Sequence, residues 1–168
     1  MKSPGFTLIE MLLVLAIISV ILTLSLMSGF NLIERNRMTK EMDQIILAIN
    51  FAKSAAVQYG TSVTLCKSVD KKTCSGRWKD GQIVFLDPSI HGKVQSSENI
   101  LRTFPALNDQ SQLEWRGFYS NDFISFDPSG IQKLSAGSFK YSPSHETTEF
   151  AHKIILNRMG RIRITQSS

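Results

Sequence analysis

Apolar and polar residues follow three different rhythms along this chain. From Met11 to Ile33, 23 residues carry no ionisable side chain, which is enough helix to cross a bilayer core of roughly 30 Å. From Asn31 to Tyr59 there is no Pro and no Gly, and Met38, Met42, Ile45, Ile49, Ala52 and Ala56 recur at steps of three and four. That spacing traces one face of a helix. Arg35, Arg37, Lys40, Glu41, Asp43 and Lys53 are expected largely elsewhere around it. The two segments predict one long helix from Phe6 to Tyr59, with Ser25, Ser28 and Gly29 able to loosen it and Gly60 ending it.

Beyond Gly60 the pattern changes to short β-prone runs separated by turn residues. The expected strands are Thr61 to Lys67, Gln82 to Asp87, Asn99 to Phe104, Gln112 to Phe118, Asp122 to Asp127, Gly137 to Ser142, Phe150 to Asn157 and Arg161 to Thr165. Seven or eight strands after one helix predict an α+β fold with segregated elements. Asp87-Pro88-Ser89 and Asp127-Pro128-Ser129 each follow an aromatic strand and suit type I turns. Pro105 to Ser111 and Ser142 to Thr148 are the expected mobile loops.

The amino end does not fit a secretory signal peptide, in which several basic residues precede a short apolar segment and a cleavage site follows it. Here one charge, Lys2, and the small residue Gly5 precede the apolar run. Gly5-Phe6-Thr7-Leu8-Ile9-Glu10 resembles the class III signal of type IV pilins and pseudopilins. The resemblance implies a prepilin peptidase that cuts between Gly5 and Phe6 and methylates the new amino terminus at Phe6, so that the apolar segment is retained. It also implies an assembly role for Glu10, facing the amino group of Phe6 on a neighbouring subunit. A carboxylate there is costly without a partner, and the helix dipole favours it.

Formal charge is +5, and loss of Lys2 with the leader takes it to +4. Local charge counting would keep the carboxyl side in the cytoplasm, because Arg35, Arg37 and Lys40 follow the span. Large domains translocate with less regard to flanking charge, and the resemblance implies export. Cys66 and Cys74 lie eight apart with no zinc-type partners, which points to a disulfide in an oxidising compartment, with free thiols as the alternative.

Further blocks narrow the resemblance to the GspH/FimT family of minor pilins and pseudopilins. They are Arg77-Trp78-Lys79-Asp80-Gly81-Gln82-Ile83-Val84-Phe85 with Asp87, then Asn99-Ile100-Leu101-Arg102, then Ile124-Ser125-Phe126-Asp127 with Gly130. The family implies a type IV pilin-like fold, with two antiparallel sheets packed on the carboxyl half of the long helix. The implied divisions are a leader at 1–5, a membrane and filament-core helix at 6–33, its amphipathic continuation at 34–59 and a β-rich head at 60–168. Major pilins often carry a helix-breaking Pro near Met27, and its absence here favours a minor subunit.

Little in the chain suggests catalysis. His145-Glu146-Thr147-Thr148-Glu149 lacks the second His of a zinc-protease motif, and no phosphate loop or nucleophile elbow is present. No enzyme activity, metal or cofactor is expected. The carboxyl end is more informative. Lys153, Arg158, Arg161 and Arg163 fall in a stretch without an acidic side chain. In Arg161-Ile162-Arg163-Ile164 a period of two puts both guanidinium groups on one face and both Ile side chains on the other. Gly160 permits a tight turn, with Asn157 to Gly160 as a hairpin connection. Arginine forks match phosphate oxygens, and a strand face kept soluble by its charges is the plainer alternative.

Gly160-Arg161-Ile162-Arg163 resembles the Gly-Arg-x-Arg motif of FimT-like minor pilins, which implies non-specific binding of double-stranded DNA during uptake for natural transformation. Arg161 and Arg163 are the expected primary contacts, with Arg158, Lys153 and Gly160 supporting them. Trp115, Phe118 and Tyr119 offer a stacking platform for single strands, or belong to the core. Expected partners are DNA, other pilin subunits, prepilin peptidase and the inner membrane, with the head in the periplasm and later on the pilus. The alternatives are a structural pseudopilin of a type II secretion system and a minor pilin that primes assembly, neither binding DNA.

Overall fold

The computed structural model describes residues 7–133, 136–143 and 151–166, and of residues 23–32 the backbone only. The expected cleavage position at Gly5 and Phe6, the His145 to Glu149 segment and most of the Ser142 to Thr148 loop lie outside the described residues. The chain forms two compact units, Met1–Arg37 and Met38–Ser168.

Helix α1, Leu8–Tyr59, contributes to both units and runs through residues 25–29 without interruption. In the first unit, Glu10 lies in the opening turn, where the amides of Glu10 and Met11 both donate to the Thr7 carbonyl, at 3.1 and 3.3 Å. The stretch from Leu8 to Leu22 is apolar apart from Glu10 and Ser19, and its exposed surface is almost wholly hydrocarbon. Among the described residues no helix is long and apolar enough to cross a membrane. Side chains 23–32, on which the rest of the expected span falls, are not among them.

In the second unit the helix supplies the predicted stripe. Met42, Ile45, Ile49, Ala52 and Ala56 are buried, joined by Ala48 and Ala55, and Met38 packs at the margin. Glu41 departs from the solvent-facing position expected of it. It is buried because its carboxylate is used twice, accepting from the Tyr141 hydroxyl at 2.9 Å and from the Asn108 amide at 3.0 Å. Tyr59 is the last helical residue, and Gly60 follows with φ of +60°.

Among the described residues eight strands follow, as the turn spacing predicts. They are β1 (Val63–Lys67), β2 (Gln82–Leu86), β3 (Ile100–Phe104), β4 (Gln112–Gly117), β5 (Phe123–Phe126), β6 (Gly137–Ser142), β7 (His152–Leu156) and β8 (Ile162–Gln166). They form two four-stranded antiparallel sheets, ordered β3-β2-β1-β5 and β4-β6-β7-β8. Val63, Leu65, Val84, Ile124 and Phe126 of the first sheet meet Leu113, Trp115, Phe139, Tyr141, Ile154 and Leu156 of the second in one core with the helix. Trp78, in a 3₁₀ turn at Trp78–Asp80, joins this core and packs edge-on against Phe139 at 5.0 Å.

The other face of the first sheet carries a smaller core of Cys66, Ile83 and Phe85, flanked by Cys74, Val94, Ile100 and Phe123. Cys66 and Cys74 form a disulfide. Both Asp-Pro-Ser segments turn as expected: Ile90 N–H donates to the Asp87 carbonyl at 3.0 Å, and Gly130 N–H to the Asp127 carbonyl at 2.8 Å. Asp87 does more than start a turn. Buried at the end of β2, its side chain accepts from the Thr64 hydroxyl and from the amides of His91 and Gly92, tying the loop to β1.

Candidate nucleic-acid interface

The β7–β8 hairpin brings Lys153, Arg158, Gly160, Arg161 and Arg163 together. Its connection is Asn157 to Gly160, closed by three hydrogen bonds: Gly160 N–H to the Asn157 carbonyl at 2.9 Å, Asn157 N–H to the Arg161 carbonyl at 3.1 Å, and Arg161 N–H to Asn157 Oδ1 at 2.8 Å. Gly160 has φ of +71°, the left-handed position that such a loop requires. A Cβ there would also stand 3.1 Å from the Lys53 side chain and 3.2 Å from the Gly130 carbonyl oxygen. The backbone sign therefore calls for glycine, and the space beside Lys53 and Gly130 is tight for any Cβ.

The turn is tied to the body of the head from two sides. Lys53 of α1 donates its ammonium to the Met159 carbonyl at 3.3 Å, and Gln132 N–H donates to the Arg158 carbonyl at 2.8 Å. Arg158 and Met159 project at the tip, both exposed. A tip fixed in this way holds its charges without a large entropy cost on binding.

Strand register decides which way the basic side chains face. Lys153 pairs with Thr165, Ile155 with Arg163, and Leu156 with Ile162. Leu156 is buried and Ile162 packs against the core, so Arg161, Arg163, Thr165 and Lys153 share the outward face. Ile162 meets the expectation for the inward face. Ile164 does so only in part, for although it opposes buried Ile154 it is 49% exposed. As the edge strand, β8 has a neighbour on one side only.

The same register adds two residues that the sequence reading missed. Lys140 of β6 pairs with Lys153, and Arg116 of β4 shares the row Arg116–Ser138–Ile155–Arg163. The outward face thus carries Arg116, Lys140, Lys153, Arg161 and Arg163, with Arg158 at its end and Glu114 as an acidic member. Glu114 lies 3.5 Å from Arg116, an exposed and weak pair. Among the described residues, Lys140, Lys153, Arg158, Arg161 and Arg163 make no ion pair. Alternation within each strand was readable beforehand, but which strands lie side by side was not.

The aromatic candidates divide. Trp115 is a core residue, 4.7 Å from Phe139, whereas Phe118 and Tyr119 are exposed. The disulfide closes a loop on the far sheet and takes no part in the basic face. Within it Asp70 accepts from the amides of Thr73 and Lys72 and from the Thr73 and Ser68 hydroxyls. These bonds, the Thr73 amide foremost, hold the carboxyl far below its usual range.

The profile for type II transport protein GspH matches residues 41–160, and that for the prokaryotic N-terminal methylation motif matches residues 1–26. No curated protein sequence matches closely enough to count as a relative. Among solved structures, the Pseudomonas aeruginosa type IV minor pilin FimU superposes with a TM-score of 0.61 at 16% identity, over 79% of this chain and 90% of that one. The minor pseudopilin EpsH from the type II secretion system of Vibrio cholerae gives 0.53 at 12% identity, over 77% of this chain and 97% of that one. At such identities the likeness concerns the fold.

Proposed function

The chain belongs to the GspH family of type II transport proteins, as a minor pilin or pseudopilin, and from that premise we propose that it binds double-stranded DNA during uptake. The observation that carries the proposal is the β7–β8 hairpin with its adjoining sheet face. Five basic side chains there have no ionic partner among the described residues, and the turn that presents them is pinned to the helix.

Arg161 and Arg163 grip phosphate oxygens as forks, and Lys153 and Arg158 add charge along the same track. Contacts of this kind position the backbone and read no bases, so sequence preference is slight. Dissociation constants of about 10⁻⁴ to 10⁻⁶ M are expected for one subunit, and neighbouring subunits in a filament raise the effective affinity. The chain itself binds and does not catalyse. Before assembly it is held in the inner membrane with the head in the periplasm. Prepilin peptidase cuts after Gly5 and methylates Phe6, and Glu10 meets the freed amino group of a neighbouring pilin as the filament forms.

A structural pseudopilin is the second reading, and the GspH profile match favours it. The two separate in one experiment. Full chain in detergent micelles is titrated against fluorescent duplex DNA at low salt, beside the Arg161→Gln/Arg163→Gln variant. Saturable binding by the wild type that the double variant largely loses, with unchanged circular dichroism, is the expected result. Equal binding by both proteins removes the site, and no binding by either leaves the pseudopilin reading.

A further inference from the structure

Building on the DNA-binding reading, we infer that Phe118 and Tyr119 form a base-stacking contact, so that the outward face of the second sheet also takes single-stranded DNA. The two rings are 93% and 72% exposed, although the loop beneath them is closely held. Trp115 Nε1–H donates to the Ser120 carbonyl at 2.9 Å, and Trp78 Nε1–H to the Asn121 carbonyl at 2.8 Å. Gly117 N–H reaches Asn121 Oδ1 at 3.2 Å, Asp122 N–H reaches Ser120 Oγ at 3.1 Å, and the Asp122 carboxylate pairs with Lys67 at 2.7 Å. Two core tryptophans therefore spend their only polar groups on fixing this loop. The hollow under the rings measures about 10 Å³, room for no more than a water-sized group. A partner must meet the rings from outside.

Register places Phe118 beside the arginines, with exposed Tyr119 next to it in the chain. Phe118 N–H donates to the Ala136 carbonyl at 3.4 Å, extending the β4–β6 ladder, and a period of two gives Phe118 the outward side of Glu114 and Arg116. Gly117, Gly137, Leu156 and Ile162 form one row across the sheet, so this loop and the Asn157–Gly160 turn lie at the same end. Arg116 and Arg163 are three strands apart in the next row, about 14 Å at the usual strand spacing. An extended strand of a few nucleotides spans that distance, with phosphates on the arginines and bases on the rings. Aromatic platforms beside a basic track gain stacking energy from any unpaired base, whereas a duplex keeps its bases out of reach. The surplus of positive charge in these rows favours a nucleic acid over an apolar protein surface.

The test uses full chain in detergent micelles and three fluorescent probes of equal length: an oligothymidylate, a duplex and an abasic deoxyribose-phosphate oligomer. Phe118→Ala/Tyr119→Ala should weaken the oligothymidylate complex at least about tenfold while changing duplex and abasic binding less than about twofold. In a Phe118→Trp variant, emission of the new indole should be quenched by oligothymidylate and not by the abasic oligomer. Equal affinity of the double Ala variant and the wild type for oligothymidylate overturns the stacking contact. So does an equal loss on the abasic probe, which would mark a general disturbance of the loop. Either result leaves duplex binding by the wild type in place, and therefore the electrostatic reading. A wild type that binds none of the three probes overturns both.

Discussion

Gly160 and Glu41 show how much a single position can carry in this head. At Gly160 any side chain meets a left-handed backbone together with Lys53 and Gly130 at about van der Waals limits. Gly160→Val should cost about 1–3 kcal/mol, read as a shift in the urea midpoint, and should weaken DNA binding because the turn no longer seats on α1. Glu41 is a different kind of restraint. Its carboxylate bridges the helix to Tyr141 of β6 and to Asn108 in the loop before β4. Glu41→Ala leaves a buried hydroxyl and an amide without that acceptor, so a loss of roughly 1–3 kcal/mol is expected from thermal or urea unfolding.

At the scale of elements, the disulfide loop and the hairpin are separately built. Reducing Cys66–Cys74 reopens a loop of eight-residue separation and should lower stability by roughly 2–3 kcal/mol. Because the bridge lies on the far sheet from the basic face, the hairpin's salt-dependent binding should survive wherever the head stays folded. Asp70 makes the same loop acid-sensitive. Its folded pKa is depressed by the Thr73 and Lys72 amides, so its contribution is full above the unfolded value of about 4 and declines as pH falls from there through the depressed folded value. A carbon-detected NMR titration should find the Asp70 carboxyl still ionised where exposed carboxylates have become protonated. Asp70→Asn should remove that part of the acid dependence.

For the whole head, the proposed DNA binding would be a property of a face assembled from four strands. If Lys153, Arg158, Arg161 and Arg163 each displace a counterion, the logarithm of duplex affinity should fall with the logarithm of salt at a slope of about −3 to −4. Arg161→Gln/Arg163→Gln should make that slope shallower by about 2. Fluorescence anisotropy across a salt series checks both numbers. A lone pair of strand arginines would give a shallower slope from the outset.

Local rules account for what could be read in advance. The helix stripe, the switch from a period of three and four to a period of two, the paired Asp-Pro-Ser turns and the glycine before Arg161 each depend on residues close in sequence. Their physics is propensity, periodicity and steric freedom, and all eight strands were legible from it to within a few residues. The α+β class and the family followed from the same short blocks. Glu41, Arg116, Lys140 and the division of Trp115 from Phe118 and Tyr119 were not legible, because each depends on neighbours tens of residues away. A period of two states that a residue alternates sides; only pairing β4 with β6, and β7 with β6 and β8, says which side is core and which charges become neighbours. The amino-terminal motif and the Gly-Arg-x-Arg turn were determined by the sequence itself. The continuous basic face that turn belongs to exists only once the sheet has formed.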